Sequence, residues 1–156
     1  LAMASFNATT DDSADLFYLA TAQAFDDEMQ KRIGLHQQRR NEDWQTIDAP
    51  LDLPKKLQAC SHENSTILID CLSIWTTNLL IADADIDAAR SALLDAVKAS
   101  PANLVVVASE TGLGIVPDTP LSRKFRDSNG LTNQMIAGLA DDVYFMVAAI
   151  AQKIKP

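Results

Sequence analysis

The apolar positions gather into four short runs: Leu16-Phe17-Tyr18-Leu19-Ala20, Thr66-Ile67-Leu68-Ile69-Asp70, Leu104-Val105-Val106-Val107-Ala108 and Val143-Tyr144-Phe145-Met146-Val147. Each is rich in β-branched or aromatic residues, and none alternates with polar positions. Runs of this kind suit strands covered on both faces. Around them the pattern turns to helical periodicity over residues 26–36, 72–82, 85–99 and 121–140, with a break expected near Ser128-Asn129-Gly130. Alternation of β and α elements predicts an α/β fold, a mostly parallel sheet flanked by helices, with all four runs in one sheet. The polar stretch 37–54 is too long for a simple connector and reads as a functional or mobile loop.

In an open α/β sheet, ligands collect beyond the carboxyl ends of the strands. Three strand ends here carry chemistry, so Ala20, Asp70 and Glu110 are expected near one edge. Ala20 and Thr21 follow the first run, where backbone donors and a hydroxyl can meet a nucleotide. Asp70 closes the second, the position from which a nucleotidase carboxylate approaches Mg²⁺; capping the next helix is the alternative role. After the third comes Glu110-Thr111-Gly112-Leu113-Gly114-Ile115-Val116-Pro117. There an acid leaves the strand, two glycines allow a tight turn or a close ligand approach, and Pro117 fixes its own φ.

Composition narrows the class. The 156 residues are 47% hydrophobic, enough for one sizeable core and a single domain. A formal charge of −8 and a pI near 4.5 argue against nucleic acid or anionic membrane as a broad partner, because that affinity comes from Lys and Arg on phosphates. No apolar stretch reaches the roughly 18 residues of a membrane span, and no signal-peptide pattern is present. Cys60 and Cys71 form neither a disulfide framework nor a metal spacing, which points to a reducing cytoplasm. Cys71 reads as a small buried side chain.

The segment from Asp26 to Arg40 adds a candidate nucleophile. Asp26 can cap a helix whose first turn holds Asp27 and Glu28, and Met29, Ile33 and His36 share one helical face with Arg39 and Arg40 just beyond. A histidine beside two guanidiniums tends to stay neutral, leaving a ring nitrogen free to attack while the arginines neutralise phosphate oxygens. A packed or solvent-facing histidine is the plain alternative. His62, in Ser61-His62-Glu63-Asn64, reads as a surface residue.

Taken in order, these segments resemble one family, the bifunctional adenosylcobinamide kinase and adenosylcobinamide-phosphate guanylyltransferase of cobalamin biosynthesis. Besides the residues above, the similarity rests on Trp44-Gln45-Thr46, Asp70-Cys71-Leu72 with Trp75 and Asn78, Arg123 with Phe125-Arg126-Asp127, and Gly130 with Asn133-Gln134. It implies a P-loop NTPase-like (RecA-like) domain with two reactions. The kinase phosphorylates adenosylcobinamide with ATP or GTP, and the transferase joins GMP from GTP to that phosphate through a guanylylated histidine. By position the nucleophile is His36. Leu19, Ala20, Thr21, Gln37, Gln38, Arg39, Arg40, Asp48 and Asp70 become the nucleotide contacts, and Asp70 and Glu110 the Mg²⁺ carboxylates. A homo-oligomer, a trimer, is implied as well.

Departures from the family pattern set further expectations. Asp48 stands where the family usually has Glu, Ser109 where it often has Asn, and Ala149 where it often has Gly. No G-x-x-x-x-G-K-[ST] occurs. An amino-terminal strand and Walker A loop are therefore expected before Leu1 in the natural protein, since without that cradle phosphate binding is severely weakened. A transferase-only relative, a noncatalytic nucleotide- or corrinoid-binding relative and another small-metabolite P-loop phosphotransferase are the alternatives.

Overall fold

The computed structural model describes residues 14–23 and 43–155. The helix expected over 26–36 lies outside them, as do His36, Gln37, Gln38, Arg39 and Arg40. At the centre is β3 (Ser65–Asp70), whose first five residues are all buried. This is the environment for which an uninterrupted Ser-Thr-Ile-Leu-Ile sequence is suited. β1 (Asp15–Ala20) pairs with one side of it and β4 (Asn103–Val107) with the other, while β2 (Trp44–Asp48) adds outside β1. The order is β2-β1-β3-β4, parallel throughout.

Parallel pairing requires long returns between strands. Helix α1 (Leu53–Cys60) supplies the return from β2 to β3, and α2 (Leu72–Ile81) with α3 (Ile86–Ala99) that from β3 to β4. On one face of the sheet Leu19, Ile67 and Ile69 pack with Leu57, Trp75 and Leu93 from these helices. Burial of each such side chain contributes about 1.5–3 kcal/mol relative to exposure. Tyr18, Trp44 and Leu68 form a smaller cluster with Leu16, Ala20, Val105 and Val107. The long α4 (Pro120–Leu139) begins with Thr119, which accepts from the Ser122 N–H, and with Pro120 in its first turn.

Four expectations are corrected. Residues 143–147 do not join the main sheet: β5 (Val143–Val147) pairs antiparallel with β6 (Ile150–Lys155) in a two-stranded sheet of its own. Both residues of its turn, Ala148 and Ala149, have positive φ, 49° and 64°. The stretch 37–54 is not wholly a loop, because Trp44–Asp48 is a strand, at one edge of the sheet among the described residues. Gln45 and Thr46 are exposed there, and polar side chains on an edge strand hide the apolar signal. α4 runs unbroken through Ser128-Asn129-Gly130. Weak helix formers are overridden by tertiary bonds, with Asn129 fully buried and bonded to Ser109. Finally, it is Cys60 that is buried, while Cys71 is only half-buried.

Candidate active site

Strand register assembles the site. Ala20 is level with Asp48 on one side and Asp70 on the other, and Asp70 is level with Val107. The carboxyl ends of all four strands thus form one row, with Asp48 and Asp70 flanking the β1 end. Glu110 follows three residues beyond Val107 on the same edge. Its loop is tied to the Asp70 end by the Ser109 N–H, which donates to Ser73 Oγ in the first turn of α2 at 2.8 Å.

Asp70 does not cap the helix that follows it. The N-cap position of α2 is Cys71, and it has no side-chain capping bond. The Asp70 carboxylate instead accepts from the Tyr18 hydroxyl at 2.6 Å. Its register explains the contact: Tyr18 lies beside Leu68, and Asp70, two residues along the strand, returns to the same face. The Glu110 carboxylate accepts from the Gly112 N–H. Among the described residues, the second oxygen of each carboxylate carries no hydrogen bond.

Helix α2 braces the loops beyond β1 and β2. Asn78 Nδ2 donates to the carbonyls of Thr21 (2.7 Å) and Pro50 (3.0 Å), and Trp75 Nε1 to that of Leu51 (3.1 Å). Thr21 is fully buried, and its hydroxyl both donates to the Cys71 carbonyl and accepts from the Cys71 N–H, each at 2.8 Å. That hydroxyl is occupied in joining the β1 end to the β3 end. Leu19 is likewise turned into the core, with no exposed surface. Of the residues expected to contact nucleotide through side chains, the described structure leaves Asp48, which is exposed, and Asp70, partly exposed, at the open edge.

The cysteines and His62 have other surroundings. Burial pushes the Cys71 thiol above its ordinary 9.0, and the neighbouring Asp70 carboxylate adds to the effect. His62 sits at the amino end of the strands, 3.3 Å from the Asp15 carboxylate and edge-on to Phe17. Asp15 opens β1, five residues before Ala20.

The sequence reading missed Tyr18 as the partner of Asp70, and the bracing amides of Asn78 and Asn129. A hydroxyl inside an apolar strand and amides on buried helical faces were the signals, since buried polar groups need partners.

The profile of the family described as cobinamide kinase / cobinamide phosphate guanyltransferase matches residues 2–154. The chain belongs to this family. Among its relatives, the bifunctional adenosylcobalamin biosynthesis protein CobP of Pseudomonas aeruginosa is 41% identical over 140 residues, covering 88% of this chain and 81% of that protein. The proteins of the same description named CobU, from Escherichia coli and Salmonella typhimurium, are 37% and 35% identical over 159 residues, each covering 92% of this chain and 88% of the relative. The cobinamide kinase and guanyltransferase family uses nucleotides, which agrees with an α/β sheet whose carboxylates stand at the strand ends. No helix among the described residues is long and apolar enough to cross a membrane.

Mg²⁺ fits this edge in donor chemistry. Among the described residues no group of three His, Cys, Asp or Glu side chains converges. A nucleotide-bound Mg²⁺, however, keeps water and phosphate ligands and needs only one or two carboxylates, a set that Asp70 and Glu110 can supply.

Proposed function

We propose that the chain phosphorylates adenosylcobinamide and transfers GMP from GTP to the resulting phosphate through His36, at the edge formed by Ala20, Asp48, Asp70 and Glu110. The observation that carries this reading is the level row of strand ends, with the Asp70 carboxylate anchored by Tyr18 and its second oxygen without a hydrogen bond among the described residues. The chain has two histidines. His62 is tied to Asp15 at the other end of the strands, and His36 is the histidine to which the family resemblance assigns the covalent step.

In that step a neutral imidazole nitrogen attacks the α-phosphorus of GTP, the bond from that phosphorus to the bridging oxygen breaks, and pyrophosphate leaves. The ring gives up its other proton, so the phosphoramidate is neutral at the imidazole. A phosphate oxygen of adenosylcobinamide phosphate then attacks the same phosphorus. The P–N bond breaks, adenosylcobinamide-GDP forms and the imidazole regains its proton. Arg39 and Arg40 spread the phosphate charge, while Gln37 and Gln38 contact the nucleotide. Mg²⁺ held near Asp70 and Glu110 would neutralise charge on the pyrophosphate. Leu19 and Thr21 act by fixing the β1 end. The same reading includes action in the cytoplasm and a homotrimer, which light scattering of the enzyme would check.

The kinase reaction requires a cradle for the β- and γ-phosphates, whereas guanylyl transfer adds a nucleophile aimed at the α-phosphate. His36→Ala should therefore keep phosphorylation of adenosylcobinamide and lose both adenosylcobinamide-GDP and the acid-labile, base-stable protein label from α-labelled GTP. Undiminished labelling would remove His36 from the chemistry. Equal loss of both products would make it a binding or folding residue.

A further inference from the structure

We infer that Asn129 and Asn133 are positioning residues that fix Glu110 relative to Asp70. They lie four residues apart on α4 and so share one helical face. Their side-chain amides converge on a single acceptor, the Ser109 carbonyl, at 2.9 Å from Asn129 and 3.1 Å from Asn133. Asn129 also reaches Thr111 Oγ1 at 3.3 Å. The Ser109 carbonyl belongs to the planar peptide unit that contains the Glu110 N–H, so holding that oxygen fixes the plane from which Glu110 departs. The preceding peptide is held from the other side by Ser73, three residues after Asp70. The two clamps together set the spacing between the Asp70 end and the Glu110 loop.

Neither asparagine is what a helix or a core would select. Asparagine forms helix less well than alanine or leucine. Asn129 has no exposed surface, and the Oδ1 atoms of both are buried without a partner among the described residues. An apolar side chain would avoid that desolvation. What these positions gain is the hold on one carbonyl. Farther along the loop the grip continues at the surface, where Arg126 donates to the Gly112 carbonyl at 2.7 Å.

The inference rests on the proposed role of Glu110 at the nucleotide phosphates, and the experiment separates the two. Glu110→Gln, Asn129→Ala, Asn133→Ala and the combinations with Glu110→Gln are compared in the enzyme by steady-state kinetics of both reactions and by amide hydrogen exchange over residues 109–112. The asparagine variants are expected to speed exchange at Ser109 and Gly112, the amides of this loop that donate hydrogen bonds, about tenfold. They should lower kcat about 10- to 100-fold while the nucleotide KM stays within about threefold. Added to Glu110→Gln they should bring no further loss, because all act through one carboxylate. If Asn129→Ala folds poorly, the partly exposed Asn133 carries the test. Normal kcat in the asparagine variants beside a defective Glu110→Gln would overturn the inference alone, as would additive losses in the combinations. A fully active Glu110→Gln would overturn the reading of Glu110, and the inference with it.

Discussion

The Tyr18 hydroxyl donates to Asp70 Oδ2 at 2.6 Å across the β1–β3 pairing, and Tyr18 itself is buried. A phenol on the neighbouring strand therefore fixes the rotation of a carboxylate at the strand end and leaves its second oxygen directed elsewhere. Hydrogen bonds to charged groups contribute about 1.5–3 kcal/mol. The pair thus matters to stability as well as to the site.

Tyr18→Phe should retain the ring packing and lose the anchor. We expect a fall in the thermal midpoint of several degrees and a kcat about tenfold lower, with a smaller change in nucleotide KM. Asp70→Asn provides the contrast: its side-chain oxygen can still accept from Tyr18, so the midpoint should stay near that of the unaltered protein while the rate falls further. Calorimetry beside kinetics on the two variants checks this. A Tyr18→Phe enzyme with an unchanged rate would show that Asp70 needs no orientation.

Gly112 is required by the carboxylate it bonds. A Cβ built at this position would lie 2.7 Å from Glu110 Oε1, closer than packed atoms tolerate. The obstacle is the end of a flexible side chain, so Gly112→Ala should fold normally with Glu110 swung aside. Activity should fall about as far as in Glu110→Gln, and the thermal midpoint should move by no more than a few degrees. Gly114 has open space around its Cβ direction, and Gly114→Ala should be active. Equal behaviour of the two alanine variants would sink the argument.

How far the sequence revealed this fold depends on burial. Residues 66–70 announced the central strand because β3 is buried along almost its whole length, the apolar runs 16–20 and 104–108 announced its two neighbours, and the helical period over 85–99 announced α3. β2 was hidden because an edge strand tolerates Gln45 and Thr46. β5 was misplaced because an apolar run does not reveal its partner, and its pairing depends on a turn built from two alanines. At the site, the acids at strand ends were legible, since such positions face ligands in parallel sheets. The bonds of Tyr18, Asn78 and Asn129 were not, because each joins residues about 20 to 57 positions apart that only the folded sheet brings together.

The thiols set an alkaline limit. Burial is the main cause that raises both Cys60 and Cys71 above the ordinary 9.0. A folded-state value above the unfolded one means that the contribution is fully present below about pH 9 and lost as pH rises through the folded values. Urea midpoints should therefore fall above pH 9, and less so in Cys60→Ala and Cys71→Ala. Iodoacetamide at pH 8 should modify Cys71 more slowly than a free thiol, since the reactive thiolate is scarce. Rapid modification of the folded enzyme, or identical alkaline behaviour of the cysteine-free variant, would contradict this.

The β5–β6 turn offers a site for stabilisation away from the strand-end row. Val147 pairs with Ile150, so the connection is the two residues Ala148 and Ala149, both in the left-handed region. This is the conformation of a type I′ hairpin, which favours Asn-Gly. An L side chain there costs roughly 1–2 kcal/mol, part of which is offset because glycine makes the unfolded chain more flexible. Ala149→Gly should therefore raise stability by about 0.5–1 kcal/mol, read as a higher denaturant midpoint at unchanged slope. Ala149→Val, β-branched at the same φ, should lower it. The hairpin is fastened by Asp142 to Lys153 at 2.7 Å and by Lys155 to carbonyls at the end of α4, not to the loops around Asp70 and Glu110. Both variants should accordingly keep the kinase and transferase rates. A glycine variant no more stable than the original would mean that the turn relaxes out of the left-handed region in solution.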